Sequence, residues 1–330
     1  MMENGRPKAG VIGVGTMGQH HARVYAELAE VDLLGVCDAD ADRAASVAEH
    51  NATRSLSRDG LLDAVDLVSI AVPTEYHYEL ARECIERGVH VLVEKPFVAE
   101  REEGERLASL AEERDVRIQV GHIERFNPAV AAVREVLDDH DLIAVDAKRL
   151  SPPLDRNIED SAAFDLMIHD IDVLFSLAGS ELTALNASGT RENRYIDAQL
   201  GFESGVVASL TASRLTQEKV RKLSITTAES WIVVDYLDQS IEMHRHSLPE
   251  YIEQQGELRY RHEGIVERPM VESAEPLKRE LASFVECVRS GREPEVSVAD
   301  GLCALDVAKR IDELAAESGA NAPELPSDSP

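Results

Sequence analysis

Lys95 stands between Glu94 and Pro96, directly after the short apolar run Val89-His90-Val91-Leu92-Val93. A lysine at the end of a strand can hold a reacting hydroxyl and assist its deprotonation once desolvation brings the ammonium pKa toward the working range. Position alone also fits an ordinary surface lysine. Pro96 makes the following bond a candidate for the cis form, since X–Pro is where cis costs little. Further on, Asp165 and His169 lie at i and i+4 on one helix face, and Asp172 continues it. His169 is the natural general acid/base near neutral pH, with Asp165 orienting substrate or cofactor. The same spacing also fits a core histidine paired with Asp165. No metal is expected at Asp165-His169-Asp172, because hydride removal from an alcohol needs none when a base is present. Arg125 and Asn127 lie in Gly121-His122-Ile123-Glu124-Arg125-Phe126-Asn127-Pro128. There a fork of N–H donors can bind phosphate or carboxylate oxygens. Arg149 and Arg156 flank a loop expected to face the same side. Taken singly, each of these groups also reads as a surface ion pair.

The elements that must position these groups begin with Ala9 to Gly15, a short apolar strand running into Gly13-Val14-Gly15-Thr16-Met17-Gly18. A helix follows, with Val24, Leu28 and Val31 at helical spacing, and then the strand Asp32 to Cys37, which ends at Asp38. The acid lies twenty residues beyond Gly18, the spacing of a dinucleotide-binding βαβ unit. Gly13, Gly15 and Gly18 permit a tight turn and close approach to pyrophosphate. Thr16 and Met17 open the helix whose N-terminus supplies N–H groups. Asp38 would accept hydrogen bonds from the ribose hydroxyls, and it disfavours a 2′-phosphate, so NAD is expected over NADP. The strand Asp66 to Val72 leads into Pro73, Thr74 and His77, and Val116 to Val120 leads into Gly121. Continuous apolar strands alternating with amphipathic helices indicate a parallel sheet covered on both faces. Ligands bind at the carboxyl ends of such strands, so Pro73–His77, Glu94–Phe97 and Gly121–His122 can share one site.

After Pro128 the pattern changes. A helix from Ala129 to Asp139 and an alternating strand, Leu142 to Arg149, precede a polar, proline-bearing loop over 152–160. Phe164 to Ala178 reads as one amphipathic helix closed by Gly179. Strand patterns then follow at 182–188, 194–202, 206–213, 220–227, 230–236 and 240–244, joined by short turns, which indicates a mainly antiparallel sheet. Helices are expected over 277–289 and 297–315. The fold class is therefore α/β, an N-terminal Rossmann doubly wound parallel sheet with a C-terminal α/β domain carrying an open, mainly antiparallel sheet. The expected bounds are 1–122 for the nucleotide-binding domain, 123–320 for a substrate and oligomerisation domain, and 321–330 for an acidic tail.

The net charge is −28, and only seven of the 34 basic residues are lysine. Such a surface excludes phosphate-backbone binding, so no nucleic acid partner is expected. Its self-repulsion is screened at high ionic strength, which points to a salt-rich cytoplasm. No run is long and apolar enough for a membrane helix, and the polar N-terminus does not read as an export signal. Cys37, Cys84, Cys287 and Cys303 are far apart without paired spacing, so neither ligands nor disulfides are expected; Cys37 and Cys84 fall in apolar patterns and read as small buried hydrophobes.

Together these pieces resemble the glucose–fructose oxidoreductase/inositol dehydrogenase (Gfo/Idh/MocA) family over nearly the whole chain. The resemblance rests on Gly13 to Gly18, Glu94-Lys95-Pro96, the Asp165–Asp172 helix and Glu275-Pro276-Leu277. It implies hydride transfer at a ring carbon, with Lys95 and His169 at the catalytic positions, and an open sheet used in a homo-dimer or homo-tetramer. Within the family, residues 121–128 are most similar to the archaeal UDP-N-acetylglucosamine 3-dehydrogenase branch and its relatives acting on the glucosaminuronate. That implies oxidation of the sugar 3-hydroxyl by NAD⁺. A dehydrogenase of a free sugar or cyclitol, and a non-catalytic nucleotide-binding regulator, are the alternatives.

Overall fold

The computed structural model describes residues 5–137, 140–153, 161–246, 250–254, 257–261 and 263–320. The chain divides into two compact units, one of residues 1–126 and 274–306, the other of 127–273 and 307–330.

In the first unit β1 (Lys8–Ile12), α1 (Gly18–Glu27), β2 (Asp32–Cys37) and α2 (Ala41–His50) form the βαβα start. They are followed by β3 (Arg54–Ser55), α3 (Arg58–Leu62), β4 (Leu67–Ile70), α4 (His77–Glu86), β5 (His90–Glu94), α5 (Arg101–Arg114) and β6 (Ile118–Gly121). The sheet is parallel, in the order β3-β2-β1-β4-β5-β6. That order reverses direction beside β1, the switch point at which open α/β sheets bind ligands. Four consecutive residues of β4 are buried, as are Val91 to Val93 of β5. Helices on both faces demand such unbroken buried runs; Ser69, the polar residue of β4, is matched by the Tyr25 hydroxyl at 3.0 Å.

In the second unit α6 (Pro128–Leu137) and β7 (Leu142–Leu150) lead to a π-helical turn, Ala163–Met167, that runs straight into α7 (Ile168–Ala178). The expected helix is there, but its first turn is widened: the Ile168 N–H reaches back to the carbonyl of Ala163. Gly179 closes it at φ 55°, the left-handed cap that glycine adopts readily. The strands that follow are β8 (Leu182–Thr190), β9 (Tyr195–Phe202), β10 (Val207–Ser213), β11 (Val220–Thr227), β12 (Ser230–Asp235), β13 (Ser240–His246), β14 (Glu250–Gln254), β15 (Glu257–Arg261) and β16 (Gly264–Glu267). An eight-stranded sheet runs β16-β13-β12-β11-β7-β10-β9-β8, with β14 and β15 paired separately. It is antiparallel except where β7 meets β10. The strict alternation of β9 buries Ile196, Ala198 and Leu200. These share the covered face with Leu210, Leu223 and Ile232, where Phe175 of α7 meets Phe202 with ring centroids 5.3 Å apart.

One boundary differs from the expectation. Residues 274–306, read as part of the second domain, belong to the first unit. The reason is α8 (Pro276–Ser290), whose Leu277, Leu281, Phe284 and Val285 join Val11, Tyr25, Val36 and Leu67 in one buried cluster. The final helix, α9 (Val298–Ala320), has residues in both units. The expected tail at 321–330 lies outside the described residues, as does Arg156.

Candidate active site

The glycine turn is built by exclusion. Gly13 has φ +82°, and a Cβ there would lie 2.5 Å from a Val72 methyl and 2.6 Å from the Ala71 carbonyl oxygen. A Cβ on Gly18 would sit 1.8 Å from the Gly13 carbonyl oxygen. At Gly15 the nearest atom is 3.8 Å away, on Arg43, so here the backbone is open to a ligand. Asp38 fixes the turn, because its carboxylate accepts from Val14 N at 2.7 Å and Asp40 N at 2.8 Å. Arg43, one turn beyond the α2 cap at Asp40, reaches 3.7 Å from Asp38 and 3.1 Å from Asp40.

These groups open on a cavity of about 880 Å³ lined by Gly13, Gly15, Thr16, Met17, Asp38, Pro73, Glu94 and Lys95, among others. That volume is typical of a cofactor cleft. Gly13, Gly15, Thr16, Met17, Gly18, Asp38, Pro73, Thr74, His77, Glu94 and Lys95 are the residues expected to meet the cofactor; eight of the eleven line this cavity, and Gly18, Thr74 and His77 do not. Gly18 acts beneath the turn. His77 is buried, with Nδ1 2.9 Å from the Pro96 carbonyl and Nε2 2.9 Å from the Val72 carbonyl. It ties together the two loops that flank the cavity, and burial holds its imidazole below the usual histidine range. The residues present thus fit a dinucleotide: glycine backbone where the pyrophosphate needs close approach, and a fixed carboxylate for ribose hydroxyls.

Lys95 follows β5 and precedes a cis peptide bond to Pro96. Glu94 accepts from Lys95 N at 3.2 Å and from His21 Nε2 at 2.9 Å. Because a carboxylate only accepts, His21 Nε2 carries the proton. Burial pushes the Glu94 carboxyl up, but the His21 hydrogen bond and the His21 and Lys95 charges outweigh it, so the group sits below its ordinary value. His21 was not anticipated. Its only signal is a polar residue on a helix beside buried Ala22, Val24 and Tyr25.

In the second unit the π-helical turn carries Asp165, and α7 carries His169. Asp165 Oδ2 accepts from Arg214 Nε at 3.1 Å and pairs with Nη2 at 2.6 Å. Arg214, too, was missed by the sequence reading. Arg149, expected as an anion fork, is buried and bidentate to Asp170, with Nε and Nη2 each at 2.8 Å, and its guanidinium stacks 5.3 Å from the Tyr236 ring centroid. Asn127 is equally committed: Nδ2 donates to the Tyr236 carbonyl at 3.2 Å, and Oδ1 accepts from Ala129 N at 3.1 Å, capping α6. Arg125 belongs to the first unit, where it lies buried 3.3 Å from Asp300. Burial raises the Asp300 carboxyl, but bonds from Ser297 and the Arg125 charge hold it low. Among the described residues no His/Cys/Asp/Glu group could hold a metal, and no helix is long and apolar enough to cross a membrane.

A six-stranded Rossmann sheet with a glycine turn, a fixed acid and a lysine at its carboxyl edge defines a dinucleotide-dependent oxidoreductase. The model of the oxidoreductase family with an NAD-binding Rossmann fold matches residues 8–122, and that of the GFO/IDH/MocA C-terminal domain matches 140–233. This chain belongs to the Gfo/Idh/MocA family of NAD-binding oxidoreductases. It is 36% identical over 242 residues to UDP-N-acetylglucosamine 3-dehydrogenase of Acidithiobacillus ferrooxidans, covering 72% of this chain and 76% of that one. It is 27% identical over 334 residues to scyllo-inositol 2-dehydrogenase (NAD(+)) of Bacillus subtilis, covering 91% of each. A solved structure of the Acidithiobacillus enzyme, GnnA, superposes with a TM-score of 0.84 at 30% identity over 95% of this chain and 99% of that one.

Proposed function

We propose that this chain oxidises the 3-hydroxyl of a UDP-N-acetyl-hexosamine, converting UDP-N-acetylglucosamine to its 3-oxo form. The observation that carries this reading is the likeness to the Acidithiobacillus 3-dehydrogenase, 36% identical over 72% of the chain. NAD⁺ supplies the hydride acceptor when bound. Gly13, Gly15 and Asp38 hold that group, and Lys95 binds the reacting hydroxyl through Nζ. His169 takes the hydroxyl proton on Nε2, since its Nδ1 is buried. Asp165, held by Arg214, orients the substrate. Arg149 and Asn127 serve as supports within their own unit. Losing Lys95 to alanine should cost roughly 10²–10⁴-fold in turnover, the range for a positioned acid/base group; near wild-type turnover would remove it from the mechanism.

The kinship with inositol dehydrogenases favours a free sugar or cyclitol as the second reading. NADH formation with UDP-N-acetylglucosamine, its uronate, free N-acetylglucosamine and myo-inositol, each with a carbonyl trap, separates the two. NADH with the sugar nucleotide alone is expected, whereas NADH with a free sugar alone overturns the nucleotide reading. We also infer a homo-oligomer in a salt-rich cytoplasm. Support comes from the outward face of the large sheet, where Trp231 is 46% exposed beside Val233, and from the charge of −28.

A further inference from the structure

Among the described residues of the second unit, the turn between β8 and β9 holds the one run of consecutive non-glycine residues at positive φ. Arg191, Glu192 and Asn193 follow one another at φ 54°, 58° and 55°. In that left-handed region Cβ crowds the following carbonyl, and only asparagine among the three adopts it with ease. A run of this kind persists only where its surroundings over-determine it.

Here the surroundings are specific. Asn193 is nearly buried, and its Nδ2 donates to the Asp312 carbonyl at 2.9 Å and to Asp312 Oδ1 at 2.8 Å. Gly189 lies against the same clamp: a Cβ there would be 2.4 Å from Asn193 Oδ1 and 2.8 Å from the Ala315 methyl. Its N–H donates to Ser318 Oγ at 3.1 Å.

What the turn holds is as specific as what holds it. Thr190 pairs with Tyr195, so residues 191–194 lie outside the β8–β9 ladder; the Arg191 carbonyl closes the turn on Arg194 N at 3.2 Å, and Arg194 continues the β9–β10 register one step beyond Tyr195 and Ser213. The Asn193 carbonyl accepts from Ala162 N at 2.9 Å, and the Arg194 carbonyl accepts from Arg214 N at 2.9 Å. Ala162 is the residue that opens the π-helical turn carrying Asp165. Arg214 is the residue whose guanidinium pairs with Asp165. The last carbonyl of the strained run and the next one, where the β9–β10 ladder begins, therefore anchor the two sides of a single ion pair.

We propose that Asn193 is a positioning residue: by locking this left-handed turn onto α9, it fixes the Asp165–Arg214 pair and the start of the helix that bears His169. The proposal rests on the reading of Asp165 and His169 as active groups.

The test compares Asn193→Ala, Asn193→Gly, Asn193→Asp, and Asn193→Asp combined with Asp312→Asn, with His169→Ala as reference. Each is assayed for NADH formation from UDP-N-acetylglucosamine, for KM of NAD⁺, and for amide exchange at Ala162 and Arg214. Asn193→Ala should lower kcat about tenfold, within the loss of up to about 10² that displacement of an active group by 1 Å can bring. It should leave KM for NAD⁺ unchanged and speed exchange at both amides. Asn193→Asp sets two carboxylates against each other and should be worse. Adding Asp312→Asn returns a donor to the pair and should restore part of kcat. If Asn193→Ala does not fold, Asn193→Gly, which keeps the left-handed turn and removes the clamp, gives the same comparison. Wild-type kcat and wild-type exchange in these variants, alongside an inactive His169→Ala, overturn the positioning role. A fully active His169→Ala overturns instead the acid/base reading on which it rests.

Discussion

Replacing His21 by alanine tests whether the Lys95 loop is held from behind. His21 is fully buried, and its Nε2–H donates at 2.9 Å to Glu94, whose other oxygen accepts from the Lys95 amide at 3.2 Å. A hydrogen bond to a charged group contributes about 1.5–3 kcal/mol. The alanine variant loses that bond and leaves a carboxylate in a desolvated pocket. For a unit of 159 residues (126 + 33, from residues 1–126 and 274–306), each kcal/mol moves Tm by about 2–4 °C. The expected fall is therefore about 3–12 °C, read by thermal unfolding at neutral pH. The acid limb carries a second signature. Glu94 is held below its ordinary value, so its contribution is present above the unfolded carboxylate pKa of about 4.3 and is lost as pH falls through the folded value. In the variant only the Lys95 charge and amide still oppose burial, so the loss begins at higher pH. His21→Gln, which keeps an N–H donor, should recover part of both. A Tm within 1 °C of wild type, with an unchanged acid limb, would refute the idea that His21 supports this loop.

Gly18→Ala places a methyl 1.8 Å from the Gly13 carbonyl oxygen; we expect NAD⁺ to bind at least about tenfold more weakly, a difference of about 1.4 kcal/mol, by fluorescence titration, and an unchanged Kd contradicts the turn geometry. Burial holds His77 and His90 below the ordinary histidine range. The unfolded chain then binds these protons first, so stability is full above about pH 6.5 and declines as pH falls toward the folded values. His77→Gln should remove up to about 1.4 kcal/mol per pH unit from that slope, measured as urea midpoints between pH 7 and 5, and an unaltered slope rules the assignment out. The urea midpoint should also rise with KCl toward molar concentration, where the Debye length shrinks to about 3 Å, because a charge of −28 repels itself in dilute buffer; a flat or falling midpoint removes the salt-adapted reading.

The first unit was legible because its signals are local. Continuous apolar runs such as Val91–Val93 announce a doubly covered sheet, and Gly13, Gly18 and Asp38 carry their geometry in residue type and spacing. The i and i+4 spacing of Asp165 and His169 is plain in the sequence, but the widened turn beneath them is not, since Ala163 to Met167 continues an ordinary amphipathic pattern. The destination of α8 was hidden for a related reason. Leu277, Leu281 and Phe284 declare a buried face without naming what buries it. The Arg149–Asp170 pair was hidden because arginine types alike whether it binds a ligand or a neighbour, and Asp170 reads only as part of a helix. Asn193 sits in Arg191-Glu192-Asn193-Arg194, which by composition is an exposed turn. The strands β14 to β16 were passed over because charged residues mask their alternation.

The split composition of the first unit has a consequence for how the protein is made. Its parallel sheet is complete once Gly121 has been synthesised, yet the apolar side awaiting Leu277, Leu281 and Phe284 stays uncovered until the chain has grown far beyond it. From residue 126 to Phe284 the chain adds 284 − 126 = 158 residues, about 8–32 s at a synthesis rate of about 5–20 residues/s. Throughout that time a ribosome-bound intermediate presents a nearly finished nucleotide domain with an open greasy seam. Chaperone engagement should therefore peak while the second unit is emerging, and a fragment ending near residue 122 should be far more prone to aggregate than the full chain.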